Sequence, residues 1–311
     1  MEHYVTLFDS LFLPQGLALH ESLEKCAGEY CLWILCVDKD ASNVLCKLSL
    51  PNVKLIKLDE VETPELLEVK KERTRAEYCW TLTPFAPRFV FEASFEVKRV
   101  TYIDADMWFL KNPEWIFNEL EKSEKNVLIT DHAYAAEYDH SATSGQYCVQ
   151  FVTFIRDSSE PVRKWWEERC IEWCYNRIED GKFGDQKYLD DWPQRFENHV
   201  HVLERQEWML APWNASRFPY SNAVMYHFHG VRLLKNNSVN LGSYKLPKVL
   251  LQYVYKPYIG SLKQAVAKLN KVGYIPKEQQ AKIALLRIVK DVLFGFYTQL
   301  WQFKIIHVKK L

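Results

Sequence analysis

Apolar residues in the first third of the chain gather in short runs, at 4–8, 32–37, 53–58 and 100–103. Runs of that length between polar segments predict strands covered on both faces. Between them, 17–23 and 86–93 carry apolar residues at the wider spacing of helices. Strand and helix in alternation predict an α/β fold on a mostly parallel sheet with helices on both faces. The pattern continues with a turn into a short helix at 110–117, strands at 127–130 and 148–155, and a helix at 161–178. Late strands follow at 199–203 and 223–227, and no internal repeat interrupts the series.

Ligands of such sheets bind beyond the carboxyl ends of the strands. Asp9, Asp38 and Asp104 all stand at such ends. Any one of them is explained by capping a turn; together they mark one edge. The sharpest signal is Tyr102-Ile103-Asp104-Ala105-Asp106. Residues i and i+2 of an extended segment share a face, so both carboxylates point the same way at a strand end. Two hard oxygen ligands there suit a divalent cation that also holds phosphate oxygens. A plain polar strand terminus is the competing reading. A second Asp-x-Asp, Asp38-Lys39-Asp40, precedes a helix start at Ala41, which predicts Asp40 as its N-cap.

Net charge is zero overall but split along the chain. Residues 243–311 hold 13 Lys and Arg against two acids, Glu278 and Asp291, which leaves residues 1–242 strongly acidic. The boundary expected is an α/β main domain at 1–242 and a basic, amphipathic, mostly helical extension at 243–311. Within 276–304 the apolar and aromatic positions are broken by Lys282, Arg287, Lys290 and Asp291, which argues against a spanning helix. A membrane-surface anchor on anionic lipid and a helix packed on the domain or a second copy are the two readings of that segment. The chain opens without a charged and apolar leader, and its eight cysteines are scattered without Cys-x-x-Cys. A cytoplasmic, reducing location is expected, with peripheral contact to the inner membrane leaflet. Cys170 and Cys174, one helical turn apart among tryptophans, read as helix packing.

No G-x-G-x-x-G, P-loop or G-x-S-x-G motif is present, which removes the main support for dinucleotide, P-loop and hydrolase readings. The acidic body and the lack of a nucleic-acid motif argue against nucleic acid as a partner.

Four blocks, in order, resemble nucleotide-sugar glycosyltransferases of the GT-A fold, nearest in layout to the glycogenin and bacterial galactosyltransferase group. They are Val5-Thr6-Leu7-Phe8-Asp9-Ser10, the Asp104-Ala105-Asp106 strand end, Gly184-Asp185-Gln186, and Tyr226-His227-Phe228-His229-Gly230. The match covers roughly residues 3–235 by segment order. Residues 182–193 and Leu210-Ala211-Pro212-Trp213-Asn214 further resemble bacterial surface-polysaccharide proteins.

The resemblance implies that Leu7, Phe8 and Asp9 cradle the nucleoside, and that Asp104, Asp106 and His227 hold Mn²⁺ or Mg²⁺, with His229 the rival third ligand. It places Asp185 and Gln186 beside the donor sugar. If the anomeric configuration is retained, Gln186 flanks the reacting centre; if it is inverted, Asp185 is the leading base. The donor implied is a nucleotide-diphosphate sugar, UDP favoured, and the acceptor a glycan or lipid-linked saccharide of surface polysaccharide or lipopolysaccharide. Two departures stand out. Val231-Arg232-Leu233-Leu234-Lys235 replaces a Lys-Pro-Trp, leaving Arg232 or Lys235 for the diphosphate, and Gln150 replaces the Asn of an Asn-x-Gly strand. Among Arg73, Arg75 and Arg88, Arg75 is assigned to the donor phosphates, because guanidinium suits oxyanions; a solvated helix face is the plain reading. The rivals are a catalytically silent carbohydrate- or membrane-binding scaffold and a sugar-phosphate nucleotidyltransferase. The latter lacks a basic, Gly-rich loop after the first strand.

Overall fold

The computed structural model describes residues 1–234, 238–279 and a short strand at 306–307. The strands, in chain order, are β1 Glu2–Phe8, β2 Tyr30–Cys36, β3 Val53–Lys57, β4 Arg99–Ile103, β5 Met107–Phe109, β6 Val127–Asp131 and β7 Tyr147–Ile155. They continue with β8 Val200–Val202, β9 Met209–Leu210, β10 Met225–His227, β11 Arg232–Leu233, β12 Ser238–Asn240 and β13 Ile306–His307. Seven form the central sheet in the order β3-β2-β1-β4-β7-β6-β8. Only β7 runs against its neighbours. The mostly parallel sheet expected from the apolar runs is what forms.

The alternation of side chains feeds two cores. Val5, Leu7, Trp33, Leu35 and Tyr102 face the layer with Phe89 of helix Phe85–Ala93 and Trp166 of helix Glu160–Glu172. Tyr4, Phe8, Leu32, Ile34 and Ile103 face the other, with Leu13 and Leu17 of helix Leu13–Cys26. Ala265 and Leu269 of helix Lys256–Lys271 join this second layer. Tyr258 of the same helix stacks flat on Phe228, ring centroids 3.5 Å apart.

Two local expectations are corrected. The helix expected over 161–178 stops at Glu172, and Trp173 is extended. Its continuation is drawn away by helix Arg75–Leu82: Asn176 N donates to Glu77 Oε1 at 2.8 Å, where Glu77 already closes the capping box with Thr74. The N-cap of helix Lys39–Leu48 is Asp38 rather than Asp40, its carboxylate accepting from Ala41 N at 2.8 Å. Asp40 lies in the first turn, where a negative charge suits the helix dipole. Lys235 and most of the expected amphipathic segment at 276–304 lie outside the described residues.

Candidate metal-binding active site

β4 ends at Ile103, and Asp104 to Asp106 form a tight turn into β5, closed by Met107 N on Asp104 O at 3.1 Å. β5 then pairs antiparallel with β10, Met107 opposite His227, and Phe228 N donates to Asp106 O at 2.9 Å. That register delivers His227 to the two aspartates from more than a hundred residues away in sequence. Its Nε2 stands 3.1 Å from Asp106 Oδ1 and 3.8 Å from Asp104 Oδ2. One ligand atom from each of the three lies within 4.8 Å of the others. His227 is buried, and both carboxylates keep an open side. Two carboxylates and an imidazole fit a divalent ion such as Mn²⁺.

The second layer is as specific. His227 Nδ1 lies 2.9 Å from Oε1 of Gln150, a fully buried residue of β7. With that oxygen as acceptor, Nδ1 carries the proton and the Nε2 lone pair faces the aspartates, the tautomer a metal ligand needs. Tyr102 OH donates to Asp104 Oδ1 at 2.9 Å. Burial, with the charge of Asp106, pushes the Asp104 carboxyl above its ordinary value, and His227 opposes the rise only in part. Burial opposes ionisation of Asp106 too, but His227, with help from Arg232, holds it well below the usual carboxylate range. Burial acts to lower His227, yet Asp106 keeps it raised. Crowded carboxylates separated in this way are what a bound cation relieves.

Asp185 sits beside this cluster. It is buried, its Oδ2 has no hydrogen-bond partner among the described residues, and burial followed by the charge of Asp104 pushes its carboxyl up to about 7. Its side chain caps nothing; the turn that follows, Gln186–Asp191, is a 3-10 helix. Gln186 is held instead by the neighbouring loop, its Nε2 donating to Ser144 O at 2.7 Å.

At the ends of β1 and β2, Arg75 joins two of the edge carboxylates: its Nε lies 2.6 Å from Asp9 Oδ2, and Nη2 pairs with Asp38. Asp9 also accepts from Leu11 N at 2.9 Å. The side chains of Leu7, Phe8 and Ala105 are buried in the two cores, so what they offer at the edge is backbone. Arg73 is committed elsewhere, bonding Thr81 and the carbonyl of Ile171, and Arg88 pairs with Glu92 and Glu167. Arg232 lies over the ring of Phe12 at 5.4 Å, near enough for its charge to act on Asp106 and His227. His229 is exposed, its Nδ1 3.2 Å from Tyr244 OH, and it stays outside the three-residue cluster.

Sequence reasoning left Gln150 without a role and passed over Tyr102. Tyr102 was legible, since it shares a strand face with Asp104. The Gln150–His227 contact has no local signal, because it joins β7 to β10.

No family model matches the chain. Uncharacterized protein YfnF of Bacillus subtilis (strain 168) is 31% identical over 254 residues, 76% of this chain and 84% of that protein. Uncharacterized protein YfnD of the same organism is 27% identical over 298 residues, 88% of this chain and 95% of that protein. Among solved structures, the galactosyltransferase LgtC in complex with donor and acceptor sugar analogs aligns with a TM-score of 0.52 at 10% identity, covering 84% of this chain and 95% of that one. That likeness establishes the fold, which is GT-A.

Proposed function

The chain belongs to the family of Uncharacterized protein YfnF, and on the GT-A fold we propose that it is a metal-dependent glycosyltransferase drawing on a nucleotide-diphosphate sugar. The observation that carries this reading is the Asp104–Asp106–His227 cluster at the carboxyl edge of the sheet. Asp104 and Asp106 would hold Mn²⁺, or Mg²⁺, through carboxylate oxygens and His227 through Nε2. A divalent ion there supplies Lewis-acid neutralisation of the departing diphosphate.

The chain's own groups divide the remaining work. Gln150 fixes the His227 tautomer. Arg232, whose charge acts on Asp106, takes diphosphate oxygens. Asp9 bounds the nucleoside end, and Arg75, held between Asp9 and Asp38, is the further cation for the donor phosphates, with a UDP-sugar the favoured donor. Asp185 and Gln186 face the sugar and acceptor, with retention of configuration; buried Asp185 accepts a hydroxyl hydrogen bond once ionised. The acceptor proposed is a saccharide or lipid-linked saccharide of surface polysaccharide. Seven lysines against the single acid Glu278 in 243–279 support docking of a cytoplasmic enzyme on anionic lipid. No helix among the described residues is long and apolar enough to cross a membrane.

The test is turnover. Purified protein incubated with UDP-, GDP- and dTDP-sugars should release one nucleoside diphosphate with Mn²⁺ and none in chelator. Release that ignores chelator, or no release with or without saccharide acceptors, would remove the proposal and favour a silent scaffold.

A further inference from the structure

The segment leading out of helix Lys256–Lys271 does not hang free of the sheet edge. It crosses the turn Ser10–Phe12, which follows Asp9, where Tyr274 OH donates to Ser10 O at 3.1 Å, and Lys277 Nζ pairs with Asp40 of helix Lys39–Leu48 at 3.1 Å. Further along, Gln279 is buried, only 3% exposed, with both lone pairs of its amide oxygen and one of its two N–H groups engaged. Its Oε1 accepts from Leu233 N at 3.0 Å and from Gln15 Nε2 at 2.9 Å. Its Nε2 donates to Leu11 O at 2.9 Å, and its backbone N donates to Leu233 O at 2.9 Å.

Two backbone partners fix which way the amide points. One is an N–H on β11 and the other a C=O on the turn after β1, so the side chain must both accept and donate. Glutamate cannot donate when ionised, and leucine would leave Leu233 N, Leu11 O and Gln15 Nε2 buried without this partner. Leu11 lies two residues from Asp9, and Leu233 follows Arg232. The Phe12 ring under the Arg232 guanidinium closes the same bridge from the other side.

We propose that Gln279 is a positioning residue for the donor: it clamps the Asp9 turn to the Arg232 strand and so sets the span between the nucleoside and diphosphate ends of the cleft. The proposal rests on the donor site assigned above. It makes the C-terminal segment part of the nucleotide site although Gln279 touches none of Asp104, Asp106 and His227. Loss of the clamp therefore weakens nucleotide binding while leaving the ion site alone.

The experiment is calorimetric titration of full-length protein with UDP, GDP and dTDP in Mn²⁺, beside an electron paramagnetic resonance titration with Mn²⁺ alone. Gln279→Leu should raise the Kd of the tightest nucleotide about tenfold, equivalent to roughly 1.4 kcal/mol, with Mn²⁺ affinity unchanged. Gln279→Glu, which keeps acceptor capacity, should fall between wild type and Gln279→Leu. Tyr274→Phe removes only the bond to Ser10 and should raise Kd by about two- to threefold; with Gln279→Glu it carries the test if Gln279→Leu does not fold. Unchanged nucleotide Kd in the folded Gln279 variants overturns the proposal. So does a parallel loss of ion and nucleotide affinity, which would mean general loosening. If wild type binds no nucleotide, the donor reading itself falls, a result distinguishable from the others.

Discussion

Replacing Gln150 by leucine separates the metal site from the stability of the fold. In the wild type the amide oxygen 2.9 Å from His227 Nδ1 selects the tautomer whose Nε2 lone pair faces Asp104 and Asp106. Without it the Nδ1 proton loses its acceptor, so the form protonated at Nε2 and donating to Asp106 Oδ1, 3.1 Å away, gains over the tautomer that leaves Nε2 free for the ion. Loss of such an outer partner costs about 10- to 100-fold in metal affinity, or roughly 1.4–2.7 kcal/mol. The fold should lose little in exchange. The Nε2 of Gln150 is buried with no partner among the described residues, so leucine removes an unsatisfied group while exposing another on the imidazole. Calorimetric titration with Mn²⁺ should report the weakened ion binding, and melting in chelator a midpoint close to wild type. Gln150→Glu provides the opposite control, because a carboxylate on Nδ1 enforces the same tautomer and makes the ring more basic. Equal Mn²⁺ affinity in wild type and Gln150→Leu would refute the reasoning.

Asp185 gives a pH test in metal-free protein. Its carboxyl ionises at about 7 in the fold, against about 4 in an unfolded chain. Between those values the folded state holds a proton that the unfolded state has released, so this group's contribution falls as pH rises through 7, by roughly 4 kcal/mol in total. Asp185→Asn should remove that decline and melt higher than wild type at pH 8 in chelator; melting curves that shift in parallel with pH would contradict it. Gly16, within helix Leu13–Cys26, leaves no room for a methyl, because a Cβ there would overlap the buried Phe8 ring. Gly16→Ala should destabilise by about 1–3 kcal/mol through overpacking, despite the better helix propensity of alanine. An unchanged or raised melting temperature would show that Phe8 moves aside freely.

The sheet was readable because its signal is local. Apolar-rich runs in β1, β2 and β4 demand burial on both faces, and an aspartate after each run marks the same edge. The spacing of Asp104 and Asp106 singles them out, but they converge through the tight turn that follows β4 rather than along an extended strand. His227 was reachable only through the resemblance, since nothing in its own segment distinguishes it from His229; the choice is made by the β5–β10 register. Asp38 against Asp40 as cap is a two-residue matter of which carboxylate the backbone presents to Ala41 N, beyond what a pattern resolves. Helix termination at Glu172 depends on Glu77, almost a hundred residues earlier in the chain. Gln150 and Gln279 are tertiary in the same sense. A glutamine in an apolar strand and a glutamine after a lysine-rich helix look ordinary until the partners they satisfy are brought together.

The central claim, that Asp104, Asp106 and His227 form one ion site serving a nucleotide, is tested most directly by anomalous diffraction. Crystals grown with Mn²⁺ and the nucleoside diphosphate that binds tightest would be measured at the manganese edge. The account requires a single strong peak at ligand distance from both carboxylates and from His227 Nε2, with the diphosphate bound to the same ion. A peak on other residues, or nucleotide seated on the Asp9 side with no ion at the cluster, would contradict it.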